Sequence, residues 1–157
     1  MSLNQYRFRD VWSVSAPTAR VFDVLVDLIN WPQWWPDIRT VHQLDADTAE
    51  LTCRAVLPYA LTFRLHRAEQ DHAAGRLRVD MTGDLEGYCE GVVDTHTTGA
   101  RLAIDQRVVV NKPLLRTLAP VARPIFRANH AAMMWRGQRG LRGYLSPPLQ
   151  HRPQVGA

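Results

Sequence analysis

The sequence predicts an α+β protein: a seven-stranded antiparallel sheet curved around a long C-terminal helix, with two short helices after the first strand. Three observations carry this. Between Ile38 and Val110, segments with apolar residues at every second position follow one another with only tight turns between them, and nothing intervenes that is long enough for a crossover helix, which is the pattern of an antiparallel meander. From Ala122 the spacing changes to threes and fours, so that Ala122, Phe126, Asn129, His130, Met133, Gly137, Leu141 and Tyr144 share one stripe of a helix, opposite Arg127, Arg139 and Arg142. A helix of about 22 residues is ~33 Å long, close to the diameter of a small domain. The third observation is the remaining strand near the N-terminus, which is free to complete the sheet beside the last one. A sheet with one apolar face then needs the helix to cover it.

Taken in order, Gln5 to Val14 alternates as a strand, with Tyr6, Phe8 and Trp12 on one side and Arg7, Arg9 and Val11 on the other. Ser15-Ala16-Pro17 ends it, Ser15 or Ala16 serving as a cap and Pro17 fitting a first helical turn. The helix that follows runs to Ile29, with Val21, Phe22, Leu25, Leu28 and Ile29 as its buried face. In Asn30-Trp31-Pro32-Gln33-Trp34-Trp35-Pro36-Asp37 the prolines bias Trp31 and Trp35 away from the α region and leave room for one helical turn. Each tryptophan ring buries on the order of 200 Å². The three either close one end of the core or, through Trp35 above all, form the wall of a pocket.

Strands are then expected over Ile38 to Leu44, Ala49 to Val56, Ala60 to Glu69, Arg76 to Thr82, Leu85 to Thr95 and Arg101 to Val110. The fifth of these presents Gly87, Cys89, Gly91 and Val93, a small set for a core face. Either it leaves room beneath it, or its glycines mark bulges or a close helix backbone. The last presents Leu102, Ile104, Gln106, Val108 and Val110; Gln106 is polar on an apolar face and must hydrogen-bond to protein, water or ligand. Leu114 to Ala119 reads as a short lead-in, and Pro120 and Pro124 mark the start of the regular final helix. The domain is thus expected over residues 1–145, with a proline-rich, polar and flexible tail over 146–157.

At 157 residues the chain has the size of one domain. Its formal net charge of +4 is carried almost wholly by arginine, Lys112 being the one lysine, and the arginines form no run. Such a balance favours acidic partners only in a general way. Cys53 and Cys89 stand far apart, outside any CxxC pattern, and read as buried free thiols. The six histidines show neither HxxxH nor HExxH spacing, so no metal is expected, and the absence of GxSxG, P-loop and GxGxxG patterns implies no cofactor. Aromatic residues sit mostly on inward faces, not interleaved with a basic groove, so nucleic acid is not an expected partner. With no run of eighteen apolar residues and no signal-like N-terminus, a cytoplasmic location is expected.

Four local patterns add a resemblance. They are the tryptophan stretch Asn30 to Asp37; Leu57-Pro58-Tyr59-Ala60-Leu61-Thr62-Phe63; Gly83-Asp84-Leu85-Glu86-Gly87; and Arg123-Pro124-Ile125-Phe126-Arg127-Ala128-Asn129-His130 followed by Met134, Gly137, Gly140 and Leu141. With the order of elements over residues 5–145, they resemble the START-like (SRPBCC) superfamily, in its polyketide cyclase/dehydrase and lipid-transport branch. The resemblance implies the helix-grip fold and a cavity between sheet and helix that holds a lipid, polyketide or other apolar molecule. It carries the cavity more safely than a reaction, since only some members do chemistry there.

The lining expected from these readings is Trp35, Phe63, Leu65, Met81, Cys89, Gln106, Phe126, His130, Met133 and Met134, with the methionines making it adaptable. His130 is either a core histidine with one satisfied hydrogen bond or a base, and a base needs a carboxylate or carbonyl to orient its ring. Asp84, Glu86 and Glu90 are the acidic partners the sequence offers. For aldol cyclisation or dehydration, His130, Glu86, Tyr59 or Arg64 would supply acid, base or polarising groups, with His130 and Glu86 the catalytic candidates. Trp135 lies on the arginine side near Arg139 and Arg142, placed to stack, to anchor at a membrane interface or to pack in a dimer. The first reading is a carrier or binding protein for a small hydrophobic or polycyclic, polyketide- or lipid-like molecule. The second is a polyketide cyclase or dehydratase using the same cavity, and the third a protein with a peripheral membrane contact. Monomer and homodimer both fit.

Overall fold

The computed structural model describes residues 4–117 and 119–146. Its elements are β1 (Gln5–Val14), α1 (Thr18–Val26), a 3-10 turn (Leu28–Gln33), β2 (Ile38–Gln43), β3 (Thr48–Cys53), β4 (Leu61–Asp71), β5 (Arg76–Gly83), β6 (Leu85–His96), β7 (Gly99–Val110), α2 (Pro113–Thr117) and α3 (Ala119–Leu145). The strands pair in the order β1-β7-β6-β5-β4-β3-β2, every pair antiparallel. This is the sheet-around-a-helix arrangement that the alternation predicts: consecutive strands pair through tight turns, and β1 closes the sheet beside β7, with Phe8 opposite Gln106 and Trp12 opposite Leu102.

Alternation decides which face each side chain joins. Leu51 and Leu102 from the sheet and Leu141 from α3 are among the most completely buried side chains. On the outer face, Arg64 pairs with Glu50 at 3.4 Å, Arg76 with Glu90 at 3.4 Å and Arg7 with Asp105 at 3.5 Å. Exposed pairs of this kind contribute little stability each. They neutralise the outer sheet locally.

Local departures from the expected pattern have physical causes. Asp27, at φ −88° and ψ 69°, turns the chain out of α1, so positions beyond it leave the helical wheel; Ile29 is 51% exposed, not buried. β3 stops at Cys53 and leaves 54–60 as a loop, in which the Val56 and Leu57 N–H groups donate to Asn129 Oδ1 of α3 at 3.0 and 3.3 Å. The lead-in helix is separate, but α3 begins at Ala119 and continues through Pro124. Its buried line runs through Phe126, Met134, Leu141 and Leu145. Tyr144, about 100° around the helix from Leu145, is therefore exposed. Gly87 has φ +145°, and a Cβ there would strike the Arg107 carbonyl, so this glycine serves a close strand approach and not a ligand. Beyond Ser146 the expected flexible tail lies outside the described residues. Among the described residues no helix is long and apolar enough to cross a membrane.

Candidate functional site

Between the inner face of the sheet and α3 lies a cavity of about 150 Å³. Alternation builds its walls. Phe63 and Leu65 come from β4, Met81 from β5, Cys89 and Gly91 from β6 and Gln106 from β7. α3 contributes Phe126, His130, Met133 and Met134, and Trp35 stands at one end, so all ten residues expected in the lining surround one space. The sequence reading missed Trp12 and Trp31 as lining. Trp12 was legible from its place on the Tyr6 and Phe8 side of β1, whereas Trp31 sits in an irregular turn with no periodicity to place it.

The tryptophans form one cluster. Trp31, Trp34 and Trp35 stack or tilt against each other with centroids 5.5–5.9 Å apart, and Trp12 meets Trp35 edge-on at 5.4 Å. Two of their N–H groups dock the cluster on the helices, Trp35 Nε1 donating to the Met133 carbonyl at 3.0 Å and Trp31 Nε1 to the Leu25 carbonyl at 3.2 Å, while Trp34 Nε1 is buried without a partner. The two expectations for this segment, core end and pocket wall, are thus met by the same rings.

Of the groups proposed for chemistry, His130 and Tyr59 face the cavity. Glu86 does not: Leu85 is buried and Glu86 is the next residue of the strand, so its side chain lies on the exposed outer face. It is corrected from a candidate partner of His130 to a surface residue. Glu90 is taken by Arg76 and Arg78, Arg64 by Glu50, and Asp84 accepts from the Thr62 N–H at 2.9 Å. Asp10 shares the inner side of β1 between Phe8 and Trp12; burial raises its carboxyl above the usual range, but it does not line the cavity.

His130 Nε2 lies 3.1 Å from Gln106 Oε1, and Gln106 Nε2 reaches Met81 Sδ at 3.8 Å. With the amide this way round, Gln106 donates to the sulfur and accepts from His130. His130 therefore carries its proton on Nε2, and Nδ1 has no hydrogen-bond partner among the described residues. The ring stacks on Phe8 at a centroid distance of 3.5 Å. Burial pushes its pKa down to about 4, so it is neutral near pH 7. The Cys53 and Cys89 thiols are pushed up to about 12 and are inert as nucleophiles at neutral pH. Tyr59, pushed up to about 12 by burial, keeps its proton, and its hydroxyl is buried with no hydrogen-bond partner. No cluster of three or more metal-ligating side chains occurs among the described residues.

The His130 shift sets a pH dependence. Its folded pKa of about 4 lies below the ordinary value of 6.5, so the unfolded chain takes up a proton at a pH where the folded one does not. Stability is full above pH 6.5 and falls as pH drops toward 4. The expected loss between pH 7 and pH 4.5 is about 2–3 kcal/mol. Urea denaturation across that range should show a shallower pH slope for His130→Gln than for wild type.

The family described as polyketide cyclase / dehydrase and lipid transport matches residues 14–135. No curated protein matches the sequence. Among solved structures, the Zhui aromatase/cyclase from Streptomyces sp. R1128 superposes with a TM-score of 0.76 at 15% identity, over 90% of this chain and 93% of that one. A protein from Thermus thermophilus gives 0.70 at 13% identity, over 90% and 99%. A START superfamily protein from Mycobacterium smegmatis gives 0.68 at 14% identity, over 90% and 96%. At such identities the likeness is one of fold.

Proposed function

The chain belongs to the START-like polyketide cyclase / dehydrase and lipid transport family, and on that premise we propose that it is a binding or carrier protein for a small hydrophobic molecule bearing a hydrogen-bond acceptor. The observation that carries this reading is the Tyr59 hydroxyl, a buried donor without a partner in the wall of an otherwise largely apolar cavity. A buried hydroxyl left unsatisfied costs about 1–3 kcal/mol. A carbonyl or ether oxygen on the ligand would remove that cost, while an apolar body fills the space between Phe63, Met81 and Met133.

The volume speaks to size. A dry apolar cavity of roughly 150 Å³ holds one benzene ring, whereas pockets for larger ligands run to about 300–1,000 Å³. A polycyclic or long-chain ligand therefore requires Met81, Met133 and Met134 to change rotamer and the 54–60 loop to yield. Methionine is the side chain for which this costs least.

The second reading, a cyclase or dehydratase, has the unpartnered His130 Nδ1 in its favour. Against it stand a pKa of about 4, too low for an efficient base near neutrality, and a ring oriented by an amide. Binding without proton abstraction is the reading the geometry favours.

Acetophenone and ethylbenzene have nearly the same shape and differ by one carbonyl oxygen, so calorimetric titration with both tests the proposal. Acetophenone is expected to bind about 5–10-fold more tightly, the worth of one hydrogen bond. Tyr59→Phe should erase the difference, and Met133→Trp, filling the cavity, should weaken both by at least about tenfold. Failure of both compounds to bind would sink the carrier reading. Turnover of a linear poly-β-ketone that His130→Gln abolishes would replace it with the enzymatic one.

A further inference from the structure

We propose that the outer face of α3 docks the protein on an anionic membrane surface. The residues farthest from the cavity recur at alternating steps of four and three, Val121, Ile125, Ala128, Ala132, Trp135 and Arg139, which is one line along the solvent side of the helix. Its large members stand out of the protein: Val121 is 71% exposed, Ile125 47% and Trp135 58%. From Val121 to Trp135 the line extends about 21 Å. Because apolar residues occupy both the inward and the outward line, packing on the sheet accounts for only one of them.

The charge on this helix is of one sign. α3 contains five arginines and no acidic residue. Arg136 is spent on Asp37, and Arg142 donates to the Ser13 carbonyl at 2.7 Å. Arg139, in the line itself, has no ion pair among the described residues and lies over the Trp135 ring at 5.4 Å, while Arg127, about 120° around the helix, lies over the Tyr6 ring of β1 at 5.9 Å. The outer sheet is different, since several of its arginines face carboxylates across the strands. Positive charge that no carboxylate of the same helix balances thus stands beside the exposed apolar line. Val56, 69% exposed in the loop that Asn129 holds against α3, extends that apolar surface at the flank of the helix.

Charge complementarity selects the occupant. A second copy meeting this face through its own would set arginines against arginines with no carboxylate on either helix. A lipid surface supplies anionic headgroups for Arg139, and a boundary into which isolated aliphatic and indole side chains insert without a matching groove. An acidic protein would answer the charge, but it would also need a groove shaped to three separated side chains.

Co-sedimentation with vesicles of phosphatidylcholine alone, and of phosphatidylcholine with an equal part of phosphatidylglycerol, tests this. Binding is expected to the anionic vesicles only, and to be lost in high salt. Arg139→Gln should weaken it about fivefold, Trp135→Ser about tenfold, and Arg127→Gln less than Arg139→Gln. Arg101→Gln, on the outer sheet face, should leave it unchanged. All four side chains are exposed, so thermal melts should match wild type, which separates a docking effect from misfolding. Absence of binding to the anionic vesicles overturns the proposal, as does binding that Trp135→Ser leaves intact. A dimer seen by light scattering and dissolved by Trp135→Ser overturns it too, by assigning the face to a second copy.

Discussion

Replacing Arg136 by methionine should lower the free energy of unfolding by about 3–5 kcal/mol, a large share of the roughly 5–15 kcal/mol that holds a typical domain together. Asp37 is 4% exposed and is the buried charged residue among those described. Its carboxylate accepts two bonds from Arg136 Nε, at 2.8 and 3.1 Å. Methionine keeps much of the arginine's apolar stem but leaves the buried carboxylate without its counter-charge. The ion pair itself need not be worth that much, because forming it required both groups to lose hydration. A second variant separates the two quantities. Adding Asp37→Asn to Arg136→Met removes the stranded charge and should recover a substantial part of the loss in urea denaturation. If Arg136→Met alone costs under about 1 kcal/mol, the pair behaves like an exposed one and its role as an anchor is refuted.

The pair matters to the site because of where it lies. Asp37 closes the tryptophan segment, and Arg136 stands three residues beyond Met133, whose carbonyl receives the Trp35 N–H. The end wall of the cavity is thus tied to α3 by one ion pair and one neutral hydrogen bond. Loosening it should change what the cavity holds as well as how stable the protein is. A calorimetric titration of Arg136→Met with ethylbenzene, at a temperature where the variant remains folded, reads that second effect.

None of this anchoring was legible in the sequence, and the reason is geometric. A period of two tells which side of the sheet Phe63, Met81 or Gln106 takes, and a period of 3.6 tells that Phe126 and His130 share a stripe. Those rules are local, and they sufficed for the order of strands, for β1 beside β7 and for placing Phe63, Leu65, Met81, Cys89, Gln106, Phe126 and His130 around the cavity. They do not set how far α3 slides along the sheet, so partners 99 residues apart such as Asp37 and Arg136 stay hidden. The same holds for His130 and Gln106: each was singled out alone, as a polar group needing a partner, and only the folded chain joins them. Glu86 is a different kind of error. Alternation from the buried Leu85 already turns it outward. Tyr59 lies in the 54–60 loop, where no period applies, so its unpartnered hydroxyl could be found only from coordinates.

Gly140→Ala should destabilise the protein by about 3 kcal/mol, at the upper end of overpacking costs, although alanine in place of a helical glycine ordinarily gains about 1 kcal/mol. A Cβ at Gly140 would fall on the Trp34 carbonyl oxygen, with the carbonyl carbon 2.8 Å away. The obstacle is backbone, which cannot rotate aside as a side chain can, so the helix and the tryptophan segment must separate. Gly143, one turn on in the same helix, supplies the control, because a Cβ there meets nothing within 4 Å. Gly143→Ala should therefore stabilise by up to about 1 kcal/mol, and the opposite signs of the two substitutions isolate contact from propensity. Gly137 stands between these cases: its Cβ would approach Trp35 Cε2 at 2.6 Å and Trp12 Cη2 at 2.8 Å, rings that can yield by moving into the cavity. Gly137→Ala should accordingly cost less stability than Gly140→Ala, while reducing ethylbenzene binding. Equal losses of stability at the two positions, with binding unchanged at Gly137, would mean that the tryptophan rings do not bound the space the ligand occupies.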